Sequence, residues 1–173
     1  MNQNVLVVGA GPVGLTMAAE LARYGVPVRI IDKASGRTDK SKALVLWSRT
    51  LELIDRMGCG ASFVGAGFKV TGTNIIAGGR QIAHIRLDTV ETPHPYALML
   101  PQSETERLLE QHLNALEVRV EQKIELARFA AENDRVTTVL RHADGHQETR
   151  RAGLVHRLRW RPQRGAPRPR NAV

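Results

Sequence analysis

Residues 4–32 read NVLVVGAGPVGLTMAAELARYGVPVRIID, and this stretch decides the fold class. Asn4 to Val8 is a short apolar, β-branched run that stops at a glycine, as a buried parallel strand does. Gly9-Ala10-Gly11-Pro12-Val13-Gly14 follows without a gap. Leu15, Ala18, Ala19 and Ala22 then fall on one helical face of small apolar residues that can lie close against a sheet, and Gly25 ends that helix. Pro27 to Ile31 makes a second strand that finishes on Asp32. In such a strand–turn–helix–strand unit, Gly9 permits the tight turn, Gly11 leaves the backbone open to a pyrophosphate, and Gly14 lets helix and strand approach. Free N–H groups at the helix start, with Pro12 and Val13 in its first turn, favour an anion there. Asp32, 23 residues after Gly9, can accept hydrogen bonds from an adenosine ribose and would repel a 2′-phosphate. The expected fold is therefore α/β, a Rossmann-like βαβ unit with a dinucleotide site.

FAD and NAD share this fingerprint, and the following segment bears on the choice. After the polar stretch from Lys33 to Lys42, residues 41–58 (SKALVLWSRTLELIDRMG) predict an amphipathic helix marked by Leu46, Thr50, Leu53, Ile54 and Met57 and ended by Gly58. A plain NAD unit would start another apolar strand here. Residues 69–76 and 81–87 predict a hairpin about Gly78-Gly79, and residues 97–100 another strand. Ser103 and Glu106 are spaced as a capping box, before a helix with an apolar face of Thr105, Leu108, Leu109, His112, Leu113 and Leu116. Residues 117–120, 123–130 and 135–141 predict further strands, with turns at 132–134 and at Asp144-Gly145.

The ordered set VLVVGAGPVGLTMAAELARYGVPVRIID, SKALVLWSRTLELIDRMG and LMLPQSETERLLEQHL resembles the FAD-dependent aromatic and polyketide hydroxylases, the single-component flavoprotein monooxygenases, over residues 4–149. The resemblance implies FAD as cofactor, NAD(P)H as reductant, and transfer of oxygen to an electron-rich aromatic substrate. Its implied cofactor contacts are Gly9, Gly11, Pro12, Val13, Gly14, Asp32, Lys33, Lys42 and Gln102. Lys42 stands where the family usually has an arginine near the pyrophosphate, so a planar fork becomes a point charge. Gln102, in LPQ, matches the glutamine that hydrogen-bonds the ribityl chain. No catalytic residue is assigned.

The charge of +8 is confined to the chain's end. Residues 1–149 hold 17 basic and 17 acidic side chains, whereas residues 150–173 hold eight arginines, three prolines and no acid. The expected organisation is thus an FAD-binding part over 1–149, with 69–100 opening the substrate-side strands, and a disordered basic tail over 150–173. A nucleic-acid-binding arm or an unrelated disordered extension would account for that tail. The preferred reading is a frameshift. Codons exist for Leu154 to Val173 that, read from the second base, encode WFIGCDGAHSAVRHALGMP, resembling the family's second FAD motif. On that view the chain is an inactive N-terminal fragment, its parallel sheet lacks a strand after residue 149, and an open edge invites aggregation.

Other chemistries find little support. Cys59 alone cannot form an internal disulfide, and His142 and His146 straddle a turn rather than sharing a helix face, so no metal is expected. No apolar run nears the roughly 20 residues of a membrane span, and no signal peptide opens the chain, which suggests a cytoplasmic protein. A standalone NAD(P)-binding module is the remaining alternative.

Overall fold

The computed structural model describes residues 5–37 and 44–158. Strand β1 (Val5–Val8) leads through helix α1 (Pro12–Arg23) to β2 (Val28–Asp32), which pairs parallel with it, Val5 opposite Val28. This is the expected βαβ unit, and Gly25, at φ +70°, takes the left-handed turn between helix and strand.

Helix α2 (Ser48–Met57) begins later than the sequence predicted. Leu46 belongs instead to the short strand β3 (Val45–Leu46), which pairs with β7 (Ala97–Met99), and Trp47 is the N-cap. The pairing of Leu46 with Leu98, far along the chain, overrides the local helical period. Gly58, at φ +90°, caps α2, and α3 (Gly60–Ala66) follows from Cys59. Strand β4 (Phe68–Val70) joins β7 on its other side. Strands β5 (Gly72–Ala77) and β6 (Arg80–Arg86) form the expected hairpin, turning on Gly78 and Gly79 with φ of +56° and +73°.

Helix α4 (Gln102–Ala115) starts at Pro101 without a side-chain cap. The capping box is not made. Glu106 is buried, and its carboxylate accepts a hydrogen bond from Gln102 Nε2 at 2.7 Å. Strands β8 (Val120–Gln122), β9 (Glu125–Ala131) and β10 (Val136–Arg141) follow as predicted in type and within a few residues in extent.

The chain end corrects the expected boundary. Residues 150–158 are not disordered: β11 (Gln147–Ala152) pairs antiparallel with β10, and β12 (Leu154–Arg157) lies parallel to β1 with Val5 opposite Leu154. The position beside β1 that was expected to lack a strand is filled, and the open edge moves outward to β12. Charge concealed the pattern, because Glu148 and Ala152 turn inward from β11 while its arginines face water. Residues 159–173, and with them most of the proposed tail, lie outside the described residues, as does Lys42.

Three layers result. The central parallel sheet runs β12-β1-β2-β8. On one face Val5, Val7 and Ile30 pack against Leu15, Ala18 and Ala19 of α1 and Leu109 and Leu113 of α4, with Leu51 and Phe63 extending this core. On the other, Leu6 and Ile31 meet Ile124, which lies just before β9, and Leu126 and Leu140 of the antiparallel β9–β11 sheet. Alternation of side chains along β1 assigns successive residues to the two cores. An ion cluster also clips the second pair of layers: Arg29 on β2 bonds Glu121 of β8 at 2.7 Å and Glu148 of β11 at 3.0 Å. His94 hydrogen-bonds Asp55 of α2 and, at 2.9 Å, Tyr96 Oη, fixing the segment before β7. Among the described residues no helix is long and apolar enough to cross a membrane.

Candidate functional site

At the C-terminal ends of the parallel strands lies a cleft of about 750 Å³. Strand order puts the change of direction of the chain between β1 and β12, and open α/β sheets bind ligands at such a point. The cleft's volume is within the roughly 300–1,000 Å³ usual for ligand sites.

The glycine-rich turn forms one wall. Gly9, at φ +111°, donates its N–H to Ile31 O at 2.8 Å, which lashes the end of β1 to the end of β2. A Cβ on Gly14 would stand 1.9 Å from Gly9 O, so the helix can begin here only if that residue is glycine. A Cβ on Gly11 would meet nothing within 4 Å, and its space is part of the cleft. The start of α1 has no side-chain cap and no acidic residue in its first turn. An uncapped helix N-terminus beside open backbone suits an anion.

Asp32 ends β2 and faces the same cleft. Its Oδ2 accepts from Ala10 N at 2.6 Å and its Oδ1 from Ala34 N at 2.8 Å. A carboxylate has about four acceptor directions, so positions remain for ligand hydroxyls. Gln102 and Glu106 line the opposite side from α4, and Arg37 reaches Glu110 at 2.6 Å.

Of the residues expected from sequence, Gly9, Gly11, Pro12, Val13, Gly14, Asp32, Lys33 and Gln102 all line this one cleft. The sequence reading missed Arg37, Glu106, Glu110, Gln122, Glu125 and Arg157. The spacing of Ser103 and Glu106 reads as a capping box and so hides Glu106 as a cleft residue. The short run LVHR, apolar at two positions, was the sole signal for the strand that brings Arg157 to the cleft.

This geometry defines a dinucleotide-binding α/β unit. Residues 2–155 match the FAD binding domain family, and the chain belongs to it. It is 44% identical over 148 residues to 6-methylpretetramide 4-monooxygenase of Streptomyces rimosus, covering 83% of this chain and 26% of that protein. Identity to YhjG of Bacillus subtilis, an uncharacterized aromatic compound monooxygenase, is 36% over 151 residues, covering 86% and 29%. Among solved structures, p-nitrophenol 4-monooxygenase PnpA of Pseudomonas putida superposes with a TM-score of 0.84 at 27% identity, covering 88% of this chain and 40% of that one. The anhydrotetracycline hydroxylase OxyS of Streptomyces rimosus gives 0.80 at 29% identity, covering 91% and 31%. The chain thus spans between a quarter and a third of the length of these curated relatives. The resemblance to aromatic and polyketide monooxygenases read from the sequence holds, and FAD is the cofactor of the family.

Proposed function

We propose that residues 5–158 form the adenosine and pyrophosphate half of the FAD site of a flavoprotein monooxygenase that hydroxylates an aromatic or polyketide substrate with NAD(P)H as reductant. The observation that carries the reading is the convergence of eight sequence-expected residues on one cleft at the strand ends. In this reading the pyrophosphate lies over Gly11 and the start of α1, where Pro12 and Val13 sit in the first turn. Asp32 offers its remaining acceptor positions to the ribose, and Lys33 adds positive charge at the same rim. Gln102 turns toward the ribityl chain, and Lys42 supplies a phosphate contact by resemblance alone. Bound FAD would carry the redox chemistry, while the protein orients it and excludes water.

The chain by itself is proposed to bind the nucleotide without hydroxylating a substrate. The cleft's walls serve a dinucleotide, and the chain spans only 26% and 29% of the length of the curated monooxygenase relatives it matches. Titrating the purified chain with FAD, followed by flavin fluorescence and absorbance, tests the reading. Saturable binding with no NAD(P)H oxidation is expected. Retention of NAD with no affinity for FAD would instead favour a standalone NAD-binding module.

A further inference from the structure

The cleft has a cation that neither the glycine motif nor the family match supplies. Arg157 is the last residue of β12, in register with Val8, and Leu158 N donates to Val8 O at 3.0 Å. Parallel neighbours stand about 4.8 Å apart, so Arg157 leaves the sheet beside the residue that precedes Gly9. It lines the cleft at the change of strand direction, and the family match stops at residue 155.

The acids of the wall are already engaged. Asp32 holds two backbone N–H groups, Glu106 accepts from Gln102, Glu110 pairs with Arg37 and Glu125 with Arg141. Among the described residues none of them pairs with Arg157. Arg157 is exposed, and its planar fork suits the oxygens of a phosphate. Leu158, behind it, covers the turn: a Cβ on Gly9 would meet Leu158 Cβ at 3.6 Å. The backbone that presents Arg157 is therefore fixed against the glycine loop.

We propose that Arg157 binds the pyrophosphate of the nucleotide from the β12 side, opposite the N-terminus of α1. The proposal rests on the reading of this cleft as the FAD site. Binding should then depend on Arg157 only for ligands that carry phosphate.

The test is equilibrium binding of ADP, adenosine and FAD to the full chain, wild type and Arg157→Ala. Weakening of ADP and FAD by about tenfold, with adenosine unchanged, is the expected result for one exposed charged hydrogen-bonding contact. The gap between the two proteins should narrow at high ionic strength, and Arg157→Lys should restore part of the affinity. Arg157→Gln, which keeps the length and loses the charge, replaces Arg157→Ala if that variant does not fold. Equal loss for ADP and adenosine would overturn the proposal, since it would mark a packing role. Unchanged ADP affinity in the variant would also overturn it while leaving the FAD site intact. Failure of the wild type to bind either FAD or ADP would remove the site reading, and this proposal with it.

Discussion

Asp32 Oδ2 accepts a hydrogen bond from the backbone N–H of Ala10 at 2.6 Å, across 22 residues of chain. The carboxylate at the end of β2 thereby holds the middle of the glycine turn, while its other oxygen holds Ala34 N. One side chain shapes both loops of the cleft. Asp32→Asn replaces an acceptor by an amide that can oppose one of those N–H donors, and should cost about 1–3 kcal/mol of stability. Urea unfolding measures that loss, and FAD titration should show weaker binding in the same variant.

Gly11 and Gly14 separate binding from folding. Alanine at Gly14 would place Cβ 1.9 Å from a backbone oxygen, and should destabilise the chain by about 3 kcal/mol or more. Gly11 has ordinary backbone angles, φ −76° and ψ 179°, and open space beyond it. Gly11→Ala should keep stability within about 0.5 kcal/mol and yet weaken FAD by about tenfold or more, because the methyl enters the space a pyrophosphate needs. Thermal melts paired with FAD titration check both expectations.

The Arg29 cluster predicts an acid-sensitive contact between layers. Arg29, with Arg150 and His142, holds the Glu148 carboxyl down from 4.5 to about 2. Its stabilisation is complete above pH 4.5, where the unfolded carboxylate is also ionised, and fades as pH falls toward 2. Glu148→Gln should lower stability by on the order of 2 kcal/mol at neutral pH and flatten the acid limb of the stability profile. Denaturant titrations across that range read the difference.

Burial pushes the Cys59 thiol up from 9.0 to about 11. The side chain sits in the helical core between α2 and α3. It should resist a thiol reagent near pH 8 in the folded chain and react promptly in denaturant. Rapid modification of the native protein would contradict the packing described.

What could be read in advance follows the range of the interactions. VLVVGAG with its Ala-faced helix, the Gly78-Gly79 hairpin and the strand before Asp144-Gly145 carry their patterns locally. Strand β3 has two residues and exists because β7 pairs with it, so helical periodicity hid it. Helix α3, GASFVGA, has Phe63 as its one fully buried large side chain and offers no repeat to recognise. Strand β11 looks like a charge run because its inward positions include a glutamate whose partner, Arg29, lies 119 residues earlier. At the cleft the glycines and Asp32 were legible as a spacing. The acids on α4 and Arg157 were not, because they reach the cleft only through tertiary packing.

The β5–β6 hairpin adds little to either core. Its residues, apart from Gly72, are exposed, including Ile76 and Ile82, and Leu87 N to Thr71 O at 2.7 Å closes its base. A two-stranded ribbon is marginal in water by itself. It should open as a separate foldon, its amides exchanging with solvent through local opening at a free energy well below that of the βαβ unit, as native-state hydrogen exchange would read.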